Sequence, residues 1–283
     1  MMKKISVLEI YDIEKAERVT LHEFEGVIEA PNWLLDGDTL LYNANGRIWK
    51  YSIRTDESLP VDTGWCTNCN NDHVPSPDNR ELCISCSPSG ESEMKSQIYV
   101  IPMEGGTPKM VVESNPSFLH GWSNDGKELV YCAFRGDAVD VCAYLIEGGE
   151  ERRLTDGLGY NDGPEYSPDD RHIWFNSTRN GLMQIFRMNR DGSDLTQMTD
   201  ADSNNWFAHV SPDGSKVVYL AFRKEDLEPW QHLPDKQVEL WLMNYDGSQK
   251  QQIVRLFGGQ GTINVNSWAP DSRRFAFVSY RYE

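Results

Sequence analysis

Apolar residues fall into short alternating runs along the chain, and most runs follow a turn that contains Asp. Clear examples are Glu128-Leu-Val-Tyr-Cys132, His172-Ile-Trp-Phe-Asn176 and Lys216-Val-Val-Tyr-Leu220. Their length and their period of two residues are typical of β-strands and do not fit an amphipathic helix. The pattern therefore predicts an all-β chain in which no helix is needed.

The Asp-containing turn occurs six times, and 42 to 58 residues separate successive aspartates. The six turns contain Asp36, Asp78, Asp125, Asp169, Asp213 and Asp271. Pro precedes four of these aspartates and presets φ, while Asp accepts hydrogen bonds from nearby backbone amides. A second run, another turn and a short further run follow in most copies. Four short strands at this period indicate the blades of a β-propeller.

The sixth repeat is incomplete, because only two strands fit between Ile263 and Glu283. Residues 5–24 hold two further strand-like runs before the first turn. We therefore predict one domain over residues 1–283, a six-bladed β-propeller with four-stranded antiparallel blades. Residues 5–24 would pair with residues 263–283 in the closing blade, which removes exposed sheet edges. The Pro-interrupted residues 225–236 are predicted to form an insertion in the fifth blade.

Repeats of the type Ser-Pro-Asp-Gly, each followed by an apolar strand, cover essentially the whole chain. Ser76-Pro-Asp78, Ser167-Pro-Asp169 and Ser211-Pro-Asp213 show the motif most clearly. In these repeats the chain resembles the TolB-like propeller family. Similar blades occur in TolB, in the non-catalytic propeller of prolyl oligopeptidases and in oligogalacturonate lyases. The export signal and additional N-terminal domain of TolB and the Gly-x-Ser-x-Gly motif of peptidases are not found, so a stand-alone propeller is expected.

Charge and composition narrow the function classes. The chain carries 27 Lys and Arg against 44 Asp and Glu, a formal net charge of −17. Such a balance argues against nucleic acid and against anionic membrane surfaces as partners. No apolar stretch approaches the roughly 20 residues of a membrane span. Acidic residues interrupt the N-terminal apolar run and the six cysteines are sparse, so a cytoplasmic location is predicted.

Polar residues cluster where the first strand of each repeat should approach the propeller axis. Since inner strands converge on one channel, we expect these side chains to form a single ligand site at its mouth. The predicted ligand-binding residues are Glu29, Asn71, Asp72, His73, His120, Asp162, Glu165, Trp206, His209, Gln260 and Asn264. Any one of them could instead be a turn or core residue, and only their convergence favours a site.

A divalent metal ion at this mouth is an open alternative, with His73, His120, His209 and Gln260 as its candidate ligands. The resemblance to oligogalacturonate lyases implies such a set, because those enzymes use His and Gln ligands at their channel. A second candidate comprises two Cys-x-x-Cys pairs, which begin at Cys66 and Cys83. Cys83 and Cys86 should point to opposite faces of one strand, which argues against a shared zinc ion.

Three function classes remain open from the sequence. The first is a binding propeller that recognises a small polar molecule, a sugar derivative or a partner peptide at the channel mouth. The second is a carbohydrate-active enzyme, a metal-assisted lyase or hydrolase that uses His, Asp and Gln at the same place. The third is a scaffold without a ligand. Binding ranks first, because no pair of catalytic carboxylates or nucleophile–base motif can be recognised in the sequence.

Overall fold

β-Strands make up almost all of the regular structure. The structure, a computed structural model, describes residues 2–88 and 90–283, where it contains 23 strands and two single-turn 3-10 helices, Glu93–Lys95 and Gln260–Thr262. Neither helix in these residues has the length and apolar character needed to cross a membrane. The strands form six antiparallel sheets, which confirms the predicted six-bladed, all-β propeller.

The sheets are called blades 1 to 5 and the closing blade. The closing blade begins with β1 (Lys4–Asp12) and β2 (Glu17–Glu25), and the last strand of the chain, β23 (Arg274–Tyr282), returns to it. Blade 1 is β3 (Glu29–Trp33), β4 (Thr39–Ala44), β5 (Arg47–Ser52) and β6 (Glu57–Pro60); blade 2 is β7 (Cys69–Pro75), β8 (Glu81–Cys86), β9 (Gln97–Pro102) and β10 (Lys109–Val112); blade 3 is β11 (Ser117–Trp122), β12 (Glu128–Arg135), β13 (Ala138–Leu145) and β14 (Glu150–Arg153). Blade 4 is β15 (Asn161–Tyr166), β16 (His172–Ser177), β17 (Gln184–Asn189) and β18 (Thr196–Gln197), and blade 5 is β19 (Ser203–Val210), β20 (Lys216–Arg223), β21 (Lys236–Asn244) and β22 (Gln251–Gly258).

The two ends of the chain close the ring, as predicted. Strand β1 lies between β2 and β23, and Leu8 is paired with Val278. Backbone hydrogen bonds join Lys3 and Glu283 in both directions, at 2.8 and 2.9 Å. The innermost position of this blade is irregular, because residues 263–268 pair with β23 through only a single bridge, Trp268 with Phe275.

The repeated turns form for the reasons that their sequence suggests. In the turn of blade 2, Ser76 Oγ donates to Asp78 Oδ1 at 2.8 Å and accepts from the backbone N–H of Glu81 at 2.9 Å. Ser and Asp make the same contact in the turns that contain Asp125, Asp169 and Asp213. The residue after Asp has a positive φ in all six turns, which suits Gly and Asn.

The core lies between neighbouring blades. One buried cluster joins Leu8 and Val278 of the closing blade to Leu40 and Trp33 of blade 1. The bulky residue three positions before each turn Asp is buried in the copies at Trp33, Trp122, Tyr166, Val210 and Trp268. These side chains give each blade an apolar face that only the next blade can cover, which holds the ring together.

The cysteines are distributed as the strand geometry requires. All six are free and buried. Cys69 and Cys86 are directly paired across β7 and β8, and Cys66 belongs to the same core cluster. Cys83 lies in the next cluster, on the other face of β8. The two Cys-x-x-Cys pairs therefore do not converge on one zinc ion.

Candidate functional site

Each of the five inner strands, β3, β7, β11, β15 and β19, contains an irregularity at an equivalent place. The pairing register shifts between Glu29 and Asn32, between Cys69 and His73, between Leu119 and Gly121, between Asp162 and Glu165, and between Trp206 and His209. A β-bulge changes the direction of the side chains that follow it. Residues before the bulge, such as Glu29 and Asp162, line one end of the channel, and residues after it, such as Asn32 and Glu165, line the other.

Two cavities consequently occupy the channel. The larger one, called the main cavity, has a volume of about 510 Å³, and all six sheets or their loops contribute to its lining. Its polar lining includes Glu29, Asn43, Asn71, Asp72, His120, Asp162, His232, Gln260 and Asn264. The second, called the turn-side cavity, has a volume of about 380 Å³ and is lined by the turn prolines and by Trp33, Trp122 and Trp268. His120 lines both cavities and lies between them.

Asp162 and His120 form a buried ion pair at the inner end of the main cavity. His120 Nε2 lies 3.1 Å from Asp162 Oδ1 and 3.9 Å from Asp72 Oδ1. Burial acts against the charged form of both partners, but their mutual contact outweighs it. The pKa of His120 is accordingly raised and the pKa of Asp162 is lowered. Both shifts favour the charged forms, and the Phe207 ring stacks on the imidazole.

Asp72 is held by amide groups from two parts of the chain. Its Oδ1 accepts from Asn264 Nδ2 and its Oδ2 from Asn70 Nδ2, both at 2.6 Å. Burial raises its pKa to about 6, with the Asp162 charge acting in the same direction and His120 opposing it. Asn264 Oδ1 is buried in the lining and has no hydrogen-bond partner among the described residues. The site thus contains an acceptor that nothing in the described chain satisfies.

Glu29 is the carboxyl group with the largest rise in pKa in the main cavity. Burial raises its pKa to about 7; Lys4 acts to lower it, while Glu93 and Asp72 raise it further. Gly261 makes room for this side chain, since a Cβ at that position would lie 2.5 Å from Glu29 Cγ. A glycine at this position thus allows the backbone to approach Glu29 closely beside the channel.

The sequence-based prediction missed His232. It lies in the insertion between β20 and β21, packs against the Trp206 ring at 4.5 Å, and places Nε2 3.7 Å from Asp162 Oδ2. Burial lowers its pKa, so the ring is neutral at physiological pH. The insertion has no counterpart in other repeats, so blade alignment could not place it. The feature of the sequence that could have indicated a role for His232 is the presence of a His within an irregular, Pro-rich segment.

Seven of the eleven predicted residues line the main cavity, namely Glu29, Asn71, Asp72, His120, Asp162, Gln260 and Asn264. Glu165 instead lines the turn-side cavity. His73, Trp206 and His209 line neither cavity, although Trp206 supports the His232 ring. The expected single mouth is therefore divided between two ends of the channel, because residues several positions apart on one inner strand, such as Asp162 and Glu165, reach different cavities.

His209 is held within the protein by both ring nitrogens. Nδ1 contacts Glu165 Oε2 at 2.6 Å, and Nε2 donates to the carbonyl of Ile263 at 2.5 Å. Glu165 Oε1 also accepts from the backbone N–H of Val210 and from Asn266 Nδ2. This network joins blades 4 and 5 to the closing blade, and it leaves no nitrogen of His209 free for an external ligand.

The structure does not bring the predicted metal ligands together. His209 is fully hydrogen-bonded, and His73 is buried outside both cavities with its pKa lowered to about 3 by burial. Only His120 and Gln260 of the four line the main cavity. Within residues 2–88 and 90–283, no three His, Cys, Asp or Glu side chains are arranged to hold a metal ion.

Comparison with known proteins gives a relative that covers nearly the full chain. An uncharacterized protein of Agrobacterium fabrum is 43% identical over 277 residues, which is 97% of this chain and 92% of the relative. A family model described as the TolB beta propeller domain matches residues 118–229. A TolB-like protein of Agrobacterium tumefaciens has a solved structure with a TM-score of 0.93 and 42% identity, covering 99% of both chains.

More distant solved structures share the fold alone. TolB from Acinetobacter baumannii superposes with a TM-score of 0.71 at 16% identity, over 91% of this chain and 64% of that one. An oligogalacturonate lyase in complex with manganese superposes with a TM-score of 0.55 at 13% identity, over 89% of this chain and 67% of the lyase.

Proposed function

Because the chain belongs to the TolB-like β-propeller family, whose blades surround a central channel, we propose that it binds a small polar ligand in the main cavity. The observation that carries the proposal is the convergence of buried polar side chains from separate blades on one cavity of about 510 Å³. Ligand sites are usually concave, of this size, and provided with a few convergent polar groups. Local turn chemistry would not place such groups around one space.

Two further features support a ligand over a purely structural channel. Asp162, His120 and Asp72 are charged or partly charged groups buried at the cavity, where a solely structural role would favour apolar side chains. Asn264 Oδ1 is a buried acceptor without a partner among the described residues. Buried polar groups are rarely left unpaired, and a bound molecule would satisfy this one.

A metabolite screen by thermal shift tests the proposal. Gln260→Trp would fill part of the main cavity, whereas Gln252→Trp on the outer strand β22 makes the same change away from it. Compounds that raise the melting temperature of the wild type and of Gln252→Trp, but not of Gln260→Trp, are the expected result. Shifts that persist in Gln260→Trp, or none in any protein, would contradict the proposal.

Catalysis on carbohydrate is a second candidate, favoured by the opposite pKa shifts of two carboxyl groups in the cavity. The pKa of Glu29 is raised to about 7 and that of Asp162 is lowered. Glycoside hydrolysis uses such a pair, one carboxyl group as acid and the other as base or nucleophile. Following each bound compound for chemical change in the same screen separates an enzyme from a binding protein.

A further inference from the structure

The main cavity is lined by negative charge and by hydrogen-bond acceptors. We propose that its ligand carries a protonated amino group, which rests on the proposed function and specifies the chemical class of the ligand.

The charges of the lining favour a cation. Carboxyl groups of Glu29, Asp72, Glu93 and Asp162 line the cavity, and none of the described lining residues is Lys or Arg. The imidazole of His120 is already paired with Asp162. An anionic ligand such as a uronate would meet several carboxyl groups, with only His120 to offset their charge, in a partly buried space, which is unfavourable. The formal net charge of −17 also attracts cations toward the molecule from a distance.

Acceptor atoms in the lining are free to bind a donor group. Asn264 Oδ1 has no partner among the described residues, while its amide nitrogen already donates to Asp72. Asp162 Oδ2 lies 3.7 Å from His232 Nε2, too far for a hydrogen bond. The amide nitrogens of Asn43 and Asn70 likewise donate to groups of the protein. An ammonium group offers three donors and no acceptor, and so matches this set.

Aromatic rings form another part of the wall. Phe118 and Phe134 pack edge to face at 5.9 Å, and Phe134 packs in the same way on Tyr160 at 6.1 Å. Aromatic faces attract organic cations and cover their carbon atoms. A metal ion needs several directly bound ligands, and the described residues contain no group of three for one. An organic amine would interact with both the acidic and the aromatic side chains of the cavity.

Calorimetric titration of the full chain with three four-carbon probes tests this inference. Putrescine, 1,4-butanediol and succinate have similar shapes but carry positive, no and negative charge. We expect putrescine to bind at least about tenfold more tightly than butanediol, and succinate to show no binding. Tighter or equal binding of butanediol or succinate, competition by magnesium or calcium chloride, or no binding of putrescine would overturn the inference.

Two matched variants locate the binding. Asp162→Asn removes a charge from the cavity, and Asp137→Asn removes one from the exposed hairpin between β12 and β13. Putrescine affinity should fall at least about tenfold in Asp162→Asn and stay unchanged in Asp137→Asn. Equal affinities in the two variants would refute the site. If a neutral or anionic compound binds instead and Gln260→Trp abolishes that binding, the proposed function survives and only the amine class is wrong.

Discussion

The histidines of the inner strands show how differently one residue type can be used at equivalent positions of a repeat. His120 is paired with a carboxylate in the lining, His73 is buried and neutral, and His209 bridges Glu165 and a backbone carbonyl. A sequence motif cannot separate these roles, because they depend on what neighbouring blades place beside each ring. The partners of His209 lie 44 and 54 residues away along the chain.

Replacing His209 by Ala should destabilise the fold without removing the ligand. The change leaves the buried Glu165 carboxylate without its imidazole partner and is expected to cost about 2–4 kcal/mol of unfolding free energy. Urea unfolding of the wild type and the variant measures this. His22→Ala, on the exposed edge strand β2, should cost less than about 1 kcal/mol. Equal losses of unfolding free energy in the two variants would show that the hydrogen-bond network around His209 does not stabilise the fold.

Glu29→Gln should alter the dependence of stability on pH. The folded pKa of Glu29, about 7, lies above its ordinary value of 4.5. The contribution of Glu29 to the free energy of unfolding is therefore fully present below pH 4.5 and is lost as pH rises through 7. Gln stays neutral, so the variant should match the wild type near pH 4 and exceed it by about 2–3 kcal/mol at pH 8.

Urea unfolding at both pH values checks this outcome, with Glu25→Gln on the exposed end of β2 as the charge-matched control. A variant less stable than the wild type at pH 8 would mean that the ionised Glu29 is stabilised in the folded protein. Lys4, Glu93, Asp72 and Tyr280 are the charged or titratable groups around this carboxyl, and they are unchanged in the comparison.

At the scale of elements, regular strands build the blades and irregular ones build the site. The strands and turns follow local rules, namely a period of two residues and Asp-containing turns, so sequence analysis located them. The bulges of the inner strands and the insertion with His232 do not follow the repeat. The bulge in β15 adds a residue between Asp162 and Glu165, so both lie on the face of the sheet shared by their partners Asn176 and Trp174. They line different cavities because they lie at different points along the channel.

At the scale of the whole molecule, strand β1 joins the two ends of the ring. Leu8 is fully buried between the closing blade and blade 1, so Leu8→Ala should lower the unfolding free energy by about 3 kcal/mol. Val19 of the outer strand β2 is 37% exposed, and Val19→Ala should cost less than about 1 kcal/mol. Chemical denaturation compares the two. A difference below about 1 kcal/mol between the unfolding free energies of the two variants would contradict the conclusion that β1 is essential for closing the ring.

The amino-acid sequence by itself determined the six repeats, their strands and turns, and the pairing of the chain ends. These features depend on contacts within a few residues and on the need to cover apolar sheet faces and edges. Only the tertiary structure decided which polar residues share a cavity. That choice depends on the five bulges, on the insertion that brings His232 to Asp162, and on ion pairs between residues of different blades, such as Asp162 with His120. Such contacts join positions tens of residues apart and leave no periodic pattern in the chain.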